Sequence, residues 1–477
     1  MNNINKFFIN GKWVEPNSSE TLSVINPATE EVVCDISLGN QSDLDTAVAA
    51  ARNAFINYSK SSKEDRLNIL ERIISSYKKR MHDLSNAITI EMGAPKTLSE
   101  KAQVPSGLGH FMQAKKILAN FSFEKEVNSS IVQKEPVGVC GLITPWNWPL
   151  NQIACKVAPA LAAGCTMILK PSEEAPLSAI IFAEIIEDAK LPDGIFNLIN
   201  GNGSELGVSM SKHLGIDMMS FTGSTRAGVS VAKNSADTVK RVTQELGGKS
   251  ANIILDDVDF VKAVSKGIFH CMNNTGQSCN APTRMLIPAD KMDEAINISK
   301  ETVLKLKVGD PQDENISMGP VVNKNQFLKI KEYISKGIKE GATLVTGKEE
   351  TIKDNEKGYF ISPTIFANVT KDMTISKEEI FGPVLSIIGY HSEEEAIDIA
   401  NDSIYGLSGY ISSNDTTKAK QFASKLRTGM VHINYAPVDQ SLPFGGYKMS
   451  GNGREWGEHG IEDFLETKSI IGINNNT

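Results

Sequence analysis

The stretch GQSCNAPTR, residues 276–284, contains a cysteine in surroundings that suit chemistry. Cys279 stands among small and polar residues, and no second cysteine lies within seven positions of it. Such a cysteine can be a nucleophile, a metal ligand, half of a disulfide or a small core residue. The chain has 6 cysteines, none in C-x-x-C spacing and none in a zinc-type cluster with histidine. Nucleophile and core residue are therefore the hypotheses that remain.

Two further residues have the right chemistry to serve a nucleophile. Glu245 lies in QELGGKS, where a carboxylate on a turn of small residues is a general base if burial raises its pKa. Asn147 lies in TPWNWP, where a rigid amide could stabilise an oxyanion. Taken singly, an exposed glutamate and a packed aromatic turn remain the alternatives.

Two other turns are candidates for binding a nucleotide. In FTGSTRAG, Gly223 and Ser224 join a strand to a helix, whose N-terminus suits a phosphate. In LKPSEEAPLS, Lys170 and Glu173 follow a strand, and a carboxylate there can accept both hydroxyls of an adenosine ribose. Neither FTGSTRAG nor GNGSELG has the G-x-G-x-x-G spacing, so a tight turn and a solvated charged loop remain alternatives.

These turns lie in a pattern of alternating strands and helices that begins at residue 137. Strands VGVCGLITP, TMILK, IFNLIN and MMSFTG alternate with helices, of which the first covers 152–163. The pattern predicts a doubly wound parallel sheet, which binds ligands at the carboxyl ends of its strands. A second alternating set begins at residue 250 and predicts a second α/β domain.

The remaining segments predict helices and short strands around these two domains. Edge strands are expected within 7–39, and Ser42 with Asp45 predicts the capping box of the next helix. Helices are expected over 63–93 and 98–120. The segment IEDFLETKSIIGI predicts a lone apolar strand that needs a partner, for which another subunit is one source.

Composition limits the class of protein. The chain has 477 residues, 40% hydrophobic and 22% charged, with a formal net charge of −8. Two or three domains are expected, and no basic block suggests a nucleic-acid partner. The N-terminus lacks the apolar run of a secretory signal, and the apolar stretch 153–169 carries Lys156 and Pro159. We expect no membrane span, and a cytoplasmic protein.

Together and in this order, the motifs resemble the NAD(P)-dependent aldehyde dehydrogenase superfamily. The blocks that carry the resemblance are PWN (145–147), KPSE (170–173), FTGST (221–225), ELGGK (245–249), GQSC (276–279), EEIFGPV (378–384) and PFGGYKMSG (443–451). The resemblance spans essentially the whole chain. It implies NAD-dependent oxidation of an aldehyde to a carboxylic acid, through a thiohemiacetal and a thioester on the catalytic cysteine.

The resemblance also implies a role for each matching residue. Cys279 is implied as the nucleophile, Asn147 as the oxyanion donor together with the Cys279 backbone N–H, and Glu245 as the base that activates water. The cofactor-binding residues that it implies are Lys170, Glu173, Gly223, Ser224, Trp146, Glu379 and Phe381. Glu173 favours NAD, with NADP possible, and no metal is implied. Lys156 and Glu455 match positions that are sometimes assigned to proton relay.

Domain organisation follows from the same resemblance. It implies a Rossmann-like NAD-binding domain from 1–117 and 137–248, and a catalytic domain from 249–450. The segments 118–136 and 451–477 are implied as a small β arm that bridges subunits of a homodimer or homotetramer.

The substrate and the rival functions complete the expectations. The positions where the family lines its substrate tunnel are occupied by Trp148, Asn151, Cys155 and Phe444. The absence of an arginine among them argues against a dicarboxylic semialdehyde, and short aliphatic, aromatic and hydroxylated aldehydes all stay open. Glu245 favours hydrolysis over transfer of the acyl group to coenzyme A. One rival is a thiol hydrolase that pairs Cys279 with His270, although His270 is expected to be structural. The other is a protein that keeps the fold without catalysis.

Overall fold

The computed structural model describes residues 3–347 and 357–473 and has a mixed α/β architecture. Along its first part, the chain forms β1 (Phe7–Ile9), β2 (Lys12–Val14), β3 (Thr21–Asn26), β4 (Glu31–Ser37), α1 (Gln41–Tyr58), α2 (Lys63–Lys79), α3 (Met81–Met92), α4 (Lys96–Leu98), α5 (Val104–Asn120), β5 (Glu124–Val127) and β6 (Ser130–Pro136). A single π-helical turn, Ser99–Gln103, joins α4 to α5.

The middle part contains the predicted alternation of strands and helices. Its elements are β7 (Val139–Ile143), α6 (Pro149–Ala163), β8 (Thr166–Lys170), α7 (Pro176–Asp188), β9 (Phe196–Leu198), α8 (Leu206–Lys212), β10 (Met218–Thr222), α9 (Thr225–Ser235) and β11 (Arg241–Glu245). The apolar stretch 153–169 is buried in α6 and β8, as predicted.

The last part forms the second alternating set and the C-terminal elements. These are β12 (Ala251–Ile254), α10 (Phe260–Met272), β13 (Arg284–Pro288), α11 (Met292–Val303), α12 (Lys324–Lys339), β14 (Thr343–Thr346), β15 (Thr364–Ala367), α13 (Thr374–Lys377), β16 (Val384–Tyr390), α14 (Glu393–Asn401), β17 (Tyr405–Gly406), β18 (Ser408–Ser412), α15 (Thr416–Lys425), β19 (Met430–Ile433), β20 (Tyr447–Lys448), β21 (Gly451–Asn452), α16 (Gly457–Glu462) and β22 (Leu465–Ile471).

The first sheet has the strand order β2-β1-β9-β8-β7-β10-β11-β21. Strands β9, β8, β7, β10 and β11 are mutually parallel, while β1 and β21 join their neighbours antiparallel. The order runs outward from β7 in one direction through β8 and β9, and in the other through β10 and β11. The predicted doubly wound sheet is therefore confirmed, and its topological switch point lies between β7 and β10.

The second sheet has the order β14-β15-β16-β13-β12-β18-β19 and is parallel except for the pairing of β14 with β15. This confirms a second α/β unit. The division of the chain into domains at 117, 137, 249 and 451 stays a prediction. One feature departs from it, because Gly451 and Asn452 pair with β11 in the first sheet rather than with the arm.

The predicted lone terminal strand has a partner within its own chain. β22 pairs antiparallel with β6 from Leu465–Pro136 to Ile471–Ser130, and β6 also pairs with β5. The expectation that β22 needs a partner is met, and that partner belongs to the same chain rather than to another subunit. Its partner lies more than three hundred residues earlier, too far for any local pattern to reveal.

The helix expectations were wrong at three boundaries. The predicted helix 63–93 breaks at Arg80, between α2 and α3, and the predicted helix 98–120 starts in the π turn. The capping box of α1 uses Asn40 and Asp43 rather than Ser42 and Asp45. Asn40 accepts hydrogen bonds from the N–H groups of residues 42 and 43, so the first turn begins two residues earlier.

Within the described residues, no helix combines the length and the apolar character that are needed to cross a membrane.

Candidate active site

The switch point brings two of the candidate turns together. Ile143 of β7 is paired with Lys170 of β8 on one side and with Phe221 of β10 on the other. The residues that follow these strands therefore share the carboxyl edge of the sheet. Asn147 follows β7 and Ser224 follows β10, which is where a doubly wound sheet binds its ligand.

A cavity of about 180 Å³ opens at this edge. The residues that line it are Pro145, Trp146, Asn147, Gln152, Thr222, Gly223, Ser224, Glu245, Leu246, Gly247, Cys279, Gln326, Lys329, Glu379 and Phe381. All three catalytic candidates are thus in one cavity with five of the seven cofactor candidates. The other two, Lys170 and Glu173, lie outside the lining, at the end of the neighbouring strand β8.

The loop that presents Cys279 is wound in an unusual backbone conformation. Asn274 and Thr275 have φ angles of +52° and +57°, and Gly276 follows at +70°. A Cβ at Gly276 would lie 2.1 Å from the carbonyl oxygen of Gly382, so only glycine fits there. The side chain of Gln277 anchors the loop by accepting a hydrogen bond from the N–H of Val322 at 3.0 Å.

Asn147 is buried and held by a network of amides. Its Nδ2 donates to the carbonyl of Gln277 at 3.0 Å, two residues before the cysteine. Its own carbonyl accepts from Asn274 Nδ2 at 2.9 Å and from Gln103 Nε2 at 3.2 Å. Because an amide NH₂ carries two hydrogens, the contact with Gln277 leaves one for a ligand.

The ELGGK turn needs both of its glycines. A Cβ at Gly247 would lie 2.3 Å from Glu379 Oε2, and a Cβ at Gly248 would lie 2.4 Å from the Cys279 carbonyl oxygen. The N–H of Gly248 donates to Glu379 Oε1 at 2.9 Å. This turn therefore links the loop that carries Cys279 to the carboxylate of Glu379.

Cys279 reaches the cavity but is otherwise enclosed by protein. Burial raises its pKa well above the ordinary value, and the negative charges of Glu379, Glu245 and Glu455 raise it further. An ordinary thiol is partly ionised near neutral pH, but the raised pKa of Cys279 suppresses its thiolate in this pocket. The thiol is protonated at rest, so a proton acceptor is required before it can react.

Glu245 is buried, and neither of its carboxylate oxygens has a hydrogen-bond partner among the described residues. Burial raises its pKa well above the ordinary value, and the charge of Glu455 adds to this rise. Glu455 is itself in contact with the buried ammonium group of Lys156, and its other oxygen accepts from Cys155 Sγ at 3.2 Å. Lys156 also donates to Ser220 Oγ at 3.0 Å. The role of Lys156 and Glu455 in proton relay stays a prediction.

The ribose candidates form a charged pair. Lys170 Nζ, which is buried, lies 3.2 Å from Glu173 Oε2 and donates to the Pro171 carbonyl at 2.9 Å. Ser224 caps α9, since its Oγ accepts from the N–H of Ala227 at 3.3 Å. The first turn of a helix has N–H groups without partners inside the helix, and Ser224, at this end of α9, lines the cavity.

The opposite wall of the cavity is aromatic and includes residues that sequence reasoning missed. The rings of Trp146 and Phe381 meet edge to face with centroids 5.4 Å apart. Gln326 Nε2 donates to the Phe381 carbonyl at 2.8 Å, which supports Phe381 in its positive-φ conformation. Gln326 and Lys329 also line the cavity, and their position on an amphipathic helix gave no signal of this role.

The four residues expected around a substrate tunnel make hydrogen bonds or ring contacts with their neighbours. Trp148 Nε1 donates to Ser278 Oγ at 2.8 Å, next to the nucleophile. Asn151 Oδ1 is 2.8 Å from His110 Nε2, and Cys155 contacts Glu455. The Phe444 and Trp456 rings lie 4.4 Å apart. The expected polar side of the tunnel is therefore already hydrogen-bonded, and His110 and Trp456 were missed because they come from distant segments.

His270, which was expected to be structural, has structural surroundings, and so does Arg284. His270 packs against the rings of Tyr410 and Tyr435 at 5.7 and 5.2 Å and does not line the cavity of Cys279. The buried guanidinium of Arg284 donates to the carbonyls of Lys249, Ile399 and Ala400. All 6 cysteines are free, and no group of three His, Cys, Asp or Glu within 3–347 and 357–473 could hold a metal.

Comparison with known proteins agrees with this arrangement. A model of the aldehyde dehydrogenase family matches residues 13–470. The chain belongs to the aldehyde dehydrogenase family. It is accordingly an oxidoreductase that acts on aldehydes.

Individual relatives cover nearly the whole chain. It is 52% identical over 473 residues, 99% of each chain, to a 3-succinoylsemialdehyde-pyridine dehydrogenase of a Pseudomonas species. It is 48% identical over 472 residues, again 99% of each, to a putative aldehyde dehydrogenase of Staphylococcus haemolyticus. Among solved structures it resembles a mutant of aldehyde dehydrogenase C from Pseudomonas syringae in complex with NAD⁺ and octanal. That match has a TM-score of 0.99 at 48% identity, with 100% and 98% of the chains covered.

A more distant structure has the same fold. It is betaine aldehyde dehydrogenase from Staphylococcus aureus in complex with NAD⁺, with a TM-score of 0.96 at 38% identity. The match covers 100% of this chain and 95% of that one.

Proposed function

We propose that this enzyme oxidises an aldehyde to a carboxylic acid with NAD, using Cys279 as nucleophile, Asn147 as oxyanion donor and Glu245 as base. The single observation that carries the proposal is the shared cavity. A thiol, a free amide hydrogen and an unpartnered buried carboxylate line it, beside a helix N-terminus at the switch point. Each of these groups has a use in the same reaction.

Attack on the aldehyde begins with the Cys279 thiol. Its proton must leave as sulfur bonds to the carbonyl carbon, because the raised pKa keeps the thiol protonated. Glu245 lines the same cavity, and neither of its oxygens has a hydrogen-bond partner among the described residues, so its ionised form is the proposed acceptor of this proton. The carbonyl oxygen gains negative charge, which the second Asn147 hydrogen and the Cys279 backbone N–H stabilise.

Residues with the chemistry to bind the two ends of NAD accompany Cys279, Glu245 and Asn147. Lys170 and Glu173 would hold the adenosine ribose, and the α9 N-terminus at Ser224 would hold the pyrophosphate. Trp146, Glu379 and Phe381 would hold the nicotinamide end. Bound NAD would supply a positively charged ring that accepts hydride. The carboxylate of Glu173 disfavours a 2′-phosphate, so NAD is preferred to NADP.

Hydrolysis of the resulting thioester is the second task of Glu245. Once it has lost its proton, the carboxylate can accept one from water and direct the hydroxide at the thioester carbon. The Lys156–Glu455 pair lies close enough for its charges to act on Glu245. It would take part in carrying away the proton that Glu245 must lose before it can activate water. This chemistry releases a free acid and needs no coenzyme A.

The substrate is proposed to be an uncharged aldehyde with an apolar or aromatic tail. Trp148, Phe444 and Trp456 offer ring surfaces, and the one histidine beside them is neutral, since burial lowers the pKa of His110 to about 4. Two relatives agree with an aldehyde of this kind, one named for a pyridine-bearing semialdehyde and one bound to octanal.

Assembly and location form the remainder of the proposal. We place the enzyme in the cytoplasm as a homodimer or homotetramer, with the arm of β5, β6 and β22 at the subunit interface. The support is the solvent exposure of β22 beyond Leu465 and of all of β5. Light scattering on the purified enzyme distinguishes the two assemblies, and a monomer would remove the proposed interface.

The experiment that tests the function is NADH formation at 340 nm. NAD and NADP are offered with a panel of aliphatic and aromatic aldehydes, with and without coenzyme A. We expect NAD-linked oxidation that does not depend on coenzyme A, with longer aliphatic or aromatic aldehydes favoured over charged ones. Absence of turnover across the panel, or a strict need for coenzyme A, would contradict the proposal.

A further inference from the structure

The helix that follows the ribose-binding turn has no cap of its own. α7 begins at Pro176, and its N-cap residue, Ala175, has no side chain that can accept a hydrogen bond. Proline at the first helical position carries no N–H, and the N–H of Ala175 donates to the Ser172 carbonyl at 3.2 Å. The N–H groups of the next two residues, Leu177 and Ser178, therefore need an acceptor from elsewhere.

That acceptor comes from a different helix. Glu91, in the last turn of α3, is 1% exposed. Its Oε2 accepts from the N–H of Leu177 at 2.6 Å, and its Oε1 accepts from the N–H of Ser178 at 3.1 Å. Both of these N–H groups are thereby satisfied, and the carboxylate lies where the helix dipole favours a negative charge.

The segment between β8 and α7 depends on this anchor at one end. It consists of residues 171–175, and Lys170, at the end of β8, fixes the other end. Within the segment, Glu173 contacts Lys170, and Glu174 accepts from Asn323 Nδ2 at 2.8 Å. The distance between β8 and the first turn of α7 therefore sets where the Glu173 carboxylate stands.

We propose that Glu91 is a positioning residue for the cofactor, which acts by capping α7 and so fixing the turn that carries Glu173. The proposal rests on the function proposed above, in which Lys170 and Glu173 hold the adenosine ribose. Glu91 touches neither the cavity nor the nucleophile, since it is absent from the cavity lining. Its loss should therefore weaken NAD binding and leave the chemistry at Cys279 intact.

The charge of Glu91 is held by these two bonds rather than by an ion pair. Among the described residues, no lysine, arginine or histidine forms a salt bridge with it. Burial raises the pKa of Glu91 to about 7, and the N–H groups of Ser178 and Leu177 oppose that rise. A glutamine at this position would keep the shape but would point its NH₂ at a backbone N–H, so that two donors face each other.

A matched control exists on the same pair of helices. Glu184, further along α7, accepts from Arg80 Nη2 at 2.9 Å, and Arg80 precedes α3. Glu184→Gln therefore also weakens a polar contact between α7 and the segment leading into α3. It does so far from the start of α7, so a general loss of helix packing would appear in both variants.

The test compares Glu91→Gln, Glu91→Asp and Glu184→Gln in the full-length enzyme. NAD affinity is measured by quenching of tryptophan fluorescence, because Trp146 lines the cavity, and KM values are measured for NAD and for the aldehyde. We expect Glu91→Gln to raise the Kd and KM for NAD about tenfold, with kcat at saturating NAD and the aldehyde KM within about twofold. Glu91→Asp, which keeps the charge, should recover part of the affinity, and Glu184→Gln should match wild type.

Three results would overturn the proposal. They are an unchanged NAD affinity in Glu91→Gln, an equal loss in Glu184→Gln, or a fall in kcat with unchanged NAD affinity. If Glu91→Gln does not fold, Glu91→Asp decides alone by the same split between the two KM values. A wild-type enzyme that fails to bind NAD would overturn the proposed function and this inference together, whereas unchanged affinity in the variant overturns only the role of Glu91.

Discussion

The two ends of the site treat their charged groups in opposite ways. At the proposed ribose end, Glu173 is paired with Lys170. Burial alone would raise the pKa of Glu173. The ammonium group of Lys170 and the hydrogen bonds to the carboxylate outweigh burial and hold that pKa below its ordinary value. At the chemical end, Glu245 has no partner, and its pKa is raised. The pKa of the Cys279 thiol, which lines the same cavity, is raised as well.

This contrast separates binding from reaction. A group that only has to hold a ligand can be satisfied by its neighbours beforehand, which keeps it rigid and stable. A group that must exchange a proton needs a pKa that can be changed by what enters the site. The pKa of an unpaired buried carboxylate can be changed in this way. Substitutions at the chemical end should therefore change rates, and those at the ribose end should change affinities.

Removal of the nucleophile should have the largest effect at the chemical end. Cys279→Ala should lower kcat by about 10⁴-fold or more, while the Kd for NAD stays within about twofold. Turnover is measured by NADH formation and the Kd by fluorescence quenching. Cys271→Ala, at a buried core thiol of α10, is the matched control and should keep its activity. Normal turnover in Cys279→Ala would remove the thiol from the mechanism.

Removal of the base should separate the two half-reactions. Glu245→Gln should lower steady-state turnover by about 10²- to 10⁴-fold and should leave a burst of about one NADH per site, because acid release needs an activated water. Stopped-flow absorbance at 340 nm records both phases. The burst itself should be slower than in wild type, because Glu245 is the proposed acceptor of the Cys279 proton; an unchanged burst rate would limit its role to the activation of water. Unimpaired steady-state turnover would contradict its role as base.

Loss of the oxyanion donor should have the next largest effect. Asn147→Ala should lower kcat by about 10²- to 10³-fold, and the KM for NAD should change little. Because Asn147 also donates to Gln277, near-ultraviolet circular dichroism should be compared with wild type to check that the nucleophile loop is retained. A variant with native spectra and native kcat would show that another group stabilises the oxyanion.

At the ribose end the expected effect is smaller and of a different kind. Glu173→Gln should raise the KM for NAD about tenfold and that for NADP less, because the ribose loses an acceptor while the repulsion of a 2′-phosphate disappears. The ratio of kcat/KM for the two nucleotides is the measurement. A fall in kcat at saturating NAD would break the distinction between the two ends.

The smallest effect concerns stability. The folded protein holds a proton on Glu245 at pH values where the unfolded chain has released it, so the free energy of unfolding falls as the pH rises through the interval between the ordinary and the raised pKa. Glutamine does not titrate. Glu245→Gln should match wild type near pH 5 and exceed its Tm by about 2 °C near pH 8, measured by calorimetry. Equal Tm values at both pH values would mean that the carboxylate is not destabilising.

Sequence reasoning placed the groups of the site that follow strands. Asn147 lies in the turn that follows β7, Lys170 is the last residue of β8, and Gly223 comes directly after β10. The alternation of strands and helices alone predicts that such positions meet at one edge. The order of the motifs then favoured one family. Cys279, Glu245, Asn147 and five of the seven cofactor candidates, all named in this way, line one cavity.

What the sequence did not reveal depends on contacts between distant segments. Glu91 caps α7 through the N–H of Leu177, which lies 86 residues further along the chain. His110 meets Asn151 across two helices, and β22 finds β6. The raised pKa of Cys279 depends on burial and on the charges of three glutamates from three segments. None of these has a local signature, because each arises from packing rather than from periodicity.

The ion pair between Lys156 and Glu455 has a consequence for synthesis on the ribosome. The two residues are 299 positions apart, so at roughly 5–20 residues per second about 15 to 60 s separate their emergence. During that interval the ammonium of Lys156 has no Glu455 carboxylate to pair with. Burial of α6 with this unpaired charge would cost free energy, so we expect α6 to stay accessible to chaperones until residue 455 has emerged. The chemical centre is thus among the last regions to close, and a nascent chain without residue 455 cannot hold it in its active arrangement.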